Sequence, residues 1–236
     1  MGIKEKLSNV LDFLFPNFTC LTCDGEINVS KHKHICDDCS ENFTWANPSR
    51  IDGRSVLSKD DKEIPIRYIY SPFLYSDILR KAILKLKYGN DGLVATTFAP
   101  YMANCLDNEV YDVIIPVPLS KNRQRERGFN QATLLAKEIG KLLNLPVIDN
   151  AIARIKNTTP QVKMSHKERQ ENQKGSYKII DENKIKGMNI LLVDDVLTTG
   201  ATTNEIATIL KEANAKIVST ITIARVSHNN EEGYDT

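Results

Sequence analysis

The stretch Asn189 to Glu205, "NILLVDDVLTTGATTNE", decides how this chain is read. An aliphatic run, Ile190 to Val193, ends on two adjacent carboxylates, Asp194 and Asp195. A loop of small and hydroxyl-bearing residues follows, and after it a pattern that starts a helix. A continuously apolar run of this length is what a strand buried on both faces of a parallel sheet requires. Ligands of open α/β sheets bind beyond the C-terminal ends of the strands, and the two acids fall there. The loop offers backbone N–H groups and hydroxyls, Gly200 permits a tight turn, and the next helix adds the positive end of its dipole. Such a loop cradles phosphate, whereas two carboxylates repel it. The acids suit ribose hydroxyls, Mg²⁺ or positive charge developing on a sugar. The stretch therefore reads as two halves of one site, one for a sugar and one for its phosphate. The bland alternative is an Asp pair that only caps the following helix.

Elements on either side repeat the alternation of strand and helix. "IRYIY", "YDVIIPVP" and "KIVSTITIAR" read as strands. Helical spacing runs through Ile78, Leu79, Ala82, Ile83 and Leu86, with Ser76 as N-cap. It recurs through Leu134, Leu135, Ile139, Leu142 and Leu143, and "TTNEIATILKEANA" forms a third helix. The expected class is α/β with a mainly parallel central sheet, preceded by a small metal-binding module.

That module rests on "CLTCDGEINVSKHKHICDDC". Cys20, Cys23, Cys36 and Cys39 form two C-x-x-C knuckles, the spacing that holds tetrahedral Zn²⁺ in a structural role. The competing reading is four reduced thiols packed as small apolar residues. Four cysteines suffice, so His32 and His34 read as solvated residues, with replacement ligation as the alternative. Cys105 reads as a buried helix residue. The expected organisation is an N-terminal helix and cysteine module over 1–50, a polar linker over 51–63, the α/β domain over 64–228 and a frayed tail over 229–236.

The chain has 236 residues, of which 41% are hydrophobic and 26% charged, with a formal net charge of +1. That balance supports a buried core and gives no bulk drive toward nucleic acid. No run of apolar residues reaches the length of a membrane span, and the N-terminus lacks a secretory pattern. The expectation is a cytoplasmic protein without membrane insertion. No motif specifies its oligomeric state.

"LLVDDVLTTGAT" closely resembles the phosphoribosyl pyrophosphate (PRPP) motif of type I phosphoribosyltransferases. "PVPLSKNRQRERGFNQATLLA" resembles the signature of the ComF group, whose members include proteins of bacterial natural transformation. "RIKNTTPQVKMSHKERQENQKGSY" resembles the same group through Thr158, Gln161, Ser165, Arg169, Asn172 and Gly175. The resemblance implies a type I phosphoribosyltransferase fold. It implies that Asp194 and Asp195 contact the ribose, with Mg²⁺ accompanying PRPP. It places Val196, Leu197, Thr198, Thr199, Gly200, Ala201 and Thr202 around the 5′-phosphate, and Pro118, Leu119 and Ser120 in the pyrophosphate loop. Arg127 and Asn130 are expected to face the site, with Arg123 as a further candidate. Gln161, Lys163, Arg169 and Asn172 belong to a hood closing over PRPP. His166 is either an acid/base group or a solvated loop residue.

Two functional classes follow. One is an Mg²⁺-dependent transferase acting on a nitrogen acceptor, with a role in DNA uptake. The other is a PRPP or nucleotide sensor that docks single-stranded DNA or a helicase-type partner through the zinc module. The basic helix with Arg80, Lys81, Lys85, Lys87 and Tyr88 is either a DNA-stacking surface or a solvated helix face.

Overall fold

The computed structural model describes residues 19–27, 34–54, 65–89, 92–107, 109–156 and 174–227. The expected N-terminal helix, the hood residues Gln161, Lys163, His166, Arg169 and Asn172, and the 229–236 tail lie outside them. So does His32.

A short helix α1 (Asp37–Glu41) carries the second cysteine knuckle. Strands β1 (Arg50–Asp52), β2 (Tyr68–Tyr70) and β3 (Phe73–Leu74) lead to helices α2 (Asp77–Tyr88) and α3 (Gly92–Ala103). Strand β4 (Val113–Pro116) is followed by α4 (Lys121–Arg127) and α5 (Gln131–Leu143). A hairpin of β5 (Ile152–Arg154) and β6 (Tyr177–Ile179) comes next. The chain continues through β7 (Asn189–Val193), β8 (Val196–Leu197), α6 (Ala201–Glu212), β9 (Ile217–Ile221) and β10 (Ala224–Arg225).

The main sheet has the order β1-β2-β9-β7-β4, with β1 antiparallel and the other pairs parallel. Its central strands are nearly all apolar because both faces are covered. One apolar cluster contains Leu191 and Val193 with α2, α3 and α5, and the other contains Ile190 and Leu192 with α6. Alternation of side chains along β7 sends successive residues to opposite layers.

Three neighbouring strands break together beyond their C-terminal ends and then resume. β2 resumes as β3, β9 as β10 and β7 as β8, giving a second parallel sheet of order β3-β10-β8. Hydrogen bonds continue across the break: Asp194 N donates to Ile221 O at 3.1 Å, Ile223 N to Asp195 O at 3.0 Å, and Thr222 N to Tyr70 O at 3.0 Å. The acid pair is thus part of a backbone step that runs across the sheet.

Several expectations change on folding. Arg50–Asp52 form a strand paired with β2 where a linker was expected from residue 51, because the sheet edge satisfies their backbone groups. The cysteine module is not set apart: Cys20, Leu21, Ile35 and Phe43 belong to the same buried cluster as Leu79, Phe98 and Ile221. Ser76 occupies the N-cap position of α2, but its hydroxyl makes no capping bond. The buried stripe of α5 is Ala132, Leu135, Ala136, Ile139 and Gly140, and Leu142 is 54% exposed. Cys105 lies in the turn after α3, half-buried, with its Sγ hydrogen-bonded to Tyr101 O. His34 supplies a carbonyl that accepts from Leu21 N at 2.9 Å.

Candidate functional site

Asp194 and Asp195 occupy the break between β7 and β8. The Asp194 Oδ1 accepts from Asp195 N at 2.8 Å, and Asp195 Oδ1 accepts from Val196 N at 3.0 Å. These bonds fix both carboxylates against the strand step. Burial, and next the neighbouring Asp195 carboxylate, hold Asp194 well above the usual carboxylate range. Two adjacent acids cannot both ionise cheaply in a partly desolvated place.

The loop after β8 curls over a hollow of about 50 Å³ lined by Asp194 and by Val196 through Thr203. That is room for a few waters or a single phosphate group. Gly200 has φ of +69°, the left-handed region, and sits at the N-cap of α6. The Thr199 hydroxyl accepts from Ala201 N at 3.4 Å, and Thr203 donates to Gly200 O at 3.0 Å. The first turn of this 12-residue helix, whose amides have no partner within an α-helix, borders the same loop. Leu197 is buried in the core, so it shapes the hollow from beneath.

Strand β4 brings the second loop alongside. Val117 N donates to Val193 O at 2.9 Å, which places Pro118, Leu119 and Ser120 beside the acids. The Ser120 hydroxyl caps α4 by accepting from Arg123 N at 3.4 Å. Asn130 caps α5 and also donates to Val117 O at 3.0 Å, tying the two ends of this segment together. The Arg127 guanidinium donates to Gln131 at 2.9 Å and lies 5.0 Å from the centre of the Tyr88 ring.

Three residues not expected from the sequence join the site. Lys87, in the last turn of α2, places Nζ 2.7 Å from Asp195 Oδ2. Tyr177 of β6 shares a side-chain hydrogen bond with Thr202 and feels the charges of Arg154, Asp194 and Arg123, and burial pushes its hydroxyl pKa up. Arg154 of β5 sits 5.5 Å from the Tyr177 ring centre. The hairpin is pinned to α6 by Gly175 N donating to the Glu205 carboxylate at 2.5 Å. The sequence carried one signal for Lys87, its place at the end of an amphipathic helix, which also fits a solvated cation.

The second centre is the cysteine cluster. The Sγ atoms of Cys20, Cys23, Cys36 and Cys39 all lie within 4.8 Å of one another. The Cys23–Cys36 sulfur separation is 3.8 Å. Sulfurs each 2.3 Å from a tetrahedral Zn²⁺ are about 3.8 Å apart, so this edge fits the ion. Amides of Gly25 and Cys36 donate to the sulfurs of Cys23 and Cys20, both at 3.4 Å. Burial raises the Cys20 thiol, but the Thr22 hydroxyl and the Cys36 amide outweigh it and bring it down to about 6. Burial pushes Cys39 up to about 12. Burial raises Cys36 as well, so one ready thiolate faces two reluctant thiols, whose protons a metal would displace on binding.

A parallel sheet with an acid pair at a strand step, a hydroxyl-rich loop and a helix N-terminus defines a protein of the phosphoribosyltransferase class. The phosphoribosyl transferase domain model matches residues 126–235. Among solved structures, an adenine phosphoribosyltransferase from Thermoanaerobacter pseudethanolicus superimposes with a TM-score of 0.35 at 14% identity, over 55% of this chain and 67% of that one. Competence protein F of Haemophilus influenzae is 28% identical over 232 residues, covering 89% of this chain and 98% of that protein. Competence protein ComFC of Bacillus subtilis is 31% identical over 202 residues, 81% of this chain and 72% of that protein. DNA utilization protein YhgH of Salmonella typhi is 34% identical over 208 residues, 84% of this chain and 86% of that protein. The chain belongs to the ComF family of proteins that carry a phosphoribosyltransferase domain. Among the described residues no helix is long and apolar enough to cross a membrane.

Proposed function

We propose that this protein binds PRPP together with Mg²⁺ and serves DNA uptake in the cytoplasm; relatives named competence proteins and DNA utilization proteins support the second half of that reading. The observation that carries the reading is the hollow of Thr198 to Thr202 directly beyond the acid pair. The loop amides and hydroxyls take the 5′-phosphate. Asp194 and Asp195 accept hydrogen bonds from the ribose hydroxyls and stabilise positive charge at the anomeric carbon. Pro118 to Ser120 form the diphosphate loop, with Arg127 and Arg123 supplying positive charge nearby. Gln161 and Arg169 belong to the segment between β5 and β6 that we assign as the hood. Mg²⁺, bound with PRPP, offsets the diphosphate charge and eases its departure. In the transfer itself a nitrogen nucleophile bonds to the anomeric carbon, the carbon–oxygen bond breaks, and diphosphate leaves with the electron pair. Cys20, Cys23, Cys36 and Cys39 hold a structural Zn²⁺.

A second reading is a PRPP sensor or accessory protein that binds single-stranded DNA or a helicase-type partner through the cysteine module. Trp45, 57% exposed a few residues after Cys39 of that module, favours it, since an indole face stacks bases. Calorimetric titration of the zinc-loaded protein with PRPP, with and without Mg²⁺, followed by diphosphate release across nitrogen bases, separates the two. Mg²⁺-dependent binding with base-dependent release supports the transferase. Binding without release supports the sensor, and no binding removes the PRPP site and leaves docking through the cysteine module and the basic surfaces.

A further inference from the structure

The Asp195 carboxylate is 8% exposed, and Lys87, itself 25% exposed, pairs with it at 2.7 Å. This cation comes from an element outside the acid motif, and the tertiary fold fixes it there. Leu86, immediately before it, is fully buried, and Gly89 N closes the helix on Lys85 O at 2.7 Å. Lys85 in the same turn pairs with Asp24 and reaches Cys20 O at 3.4 Å, so the cysteine knuckle clamps the turn from its other side. Tyr88 is held against Arg127. Three neighbouring side chains thus pin the end of α2 to three different parts of the protein.

Adjacent carboxylates without a counter-charge attract a divalent cation or take up a proton. A lysine already seated on one of them makes either event compete with an existing ion pair in a poorly hydrated place, where such pairs are strong.

We propose that Lys87 is the resident counter-ion of the acid pair, a positioning residue that orients Asp195 and keeps the empty site from collecting free divalent cations. The inference rests on the reading of Asp194 and Asp195 as the sugar-facing acids. It adds that cation and PRPP enter together, because the empty acid pair is neutralised from within.

The test is a titration of the full-length, zinc-loaded protein with Mn²⁺ in the absence of PRPP, followed by electron paramagnetic resonance. Lys87→Gln is expected to bind Mn²⁺ at least about tenfold more tightly than the parent protein, since a full charge has left the pair. Lys87→Arg keeps the charge and is expected to behave as the parent. Lys87→Gln binding no more tightly than the parent overturns the proposal. A gain in metal affinity is an outcome that mere structural damage does not produce. Should Lys87→Gln melt early by circular dichroism, Lys87→Met, which keeps the apolar stem, is titrated in its place with the same two outcomes. Failure of the parent to bind Mg²⁺ and PRPP would sink the functional reading separately and leave the Mn²⁺ comparison to decide the role of Lys87.

Discussion

At the residue scale, Asp194 sets stability and ligand binding against each other. Its raised pKa, due to burial and then to Asp195, means the folded protein keeps this proton where the unfolded chain has lost it. Stability contributed through Asp194 therefore falls as pH rises from the ordinary carboxylate value of about 3.9 through the raised one. Ligand hydroxyls favour the ionised carboxylate, so PRPP affinity is expected to rise across the same window, as calorimetry at stepped pH would report. Asp194→Asn should melt higher than the parent at neutral pH and bind PRPP at least about tenfold more weakly, a loss of about 1.4 kcal/mol or more. Unchanged PRPP affinity in Asp194→Asn combined with Asp195→Asn would remove the site assignment. Gly200 is the other decisive residue. Its φ of +69° costs an ordinary residue about 1–2 kcal/mol, so Gly200→Ala should lower stability in urea and weaken PRPP binding together.

At the element scale, helix α5 shows where local rules mislead. Gly to Ala inside a helix ordinarily stabilises it by up to about 1 kcal/mol. At Gly140 an added Cβ would lie 2.8 Å from Val147 Cγ2 and 2.9 Å from Leu145 O. Gly140→Ala is therefore expected to destabilise the protein by about 1–3 kcal/mol, read as a lower urea midpoint. The same close packing explains why the leucine spacing misplaced the buried stripe: Ala132, Ala136 and Gly140 let the backbone approach, and Leu142 stays outside. Helix α3 was legible only at its end, through the helix expected around Cys105. It carries Pro100, and its buried residues Val94, Ala95, Thr97, Phe98, Ala99 and Met102 leave little polar face to mark a period. By contrast β7 was legible from its unbroken aliphatic run, and α2 from its stripe of Leu79, Ala82, Ile83 and Leu86.

At the scale of the whole molecule, the cysteine centre and the α/β layers share one core. Cys20, Leu21, Ile35 and Phe43 are buried with residues of α2, α3 and the central sheet, and Phe43 meets Phe73 edge-on at 5.1 Å. Metal stripped from the thiols is therefore expected to lower the melting temperature of the entire chain in a single calorimetric transition. A separate low-temperature transition, with the main one unmoved, would show that the module unfolds by itself. The clamp from Lys85 to Asp24 and Cys20 O carries the same consequence to the end of α2.

The proposed sites were written in contiguous sequence: Asp194 and Asp195, the Thr198 to Thr202 loop, and four cysteines in paired knuckles. Each of these depends on neighbours along the chain, because a strand end, a tight turn and a C-x-x-C knuckle are local structures. The order of the strands, the shared step that carries the acids, the cluster that cysteines share with α2 and α3, and the cation on Asp195 came only with the tertiary structure. Lys87 lies more than a hundred positions before Asp195 in the chain. No spacing rule links them; the sheet and the burial of Leu86 beside it bring that ammonium to that carboxylate.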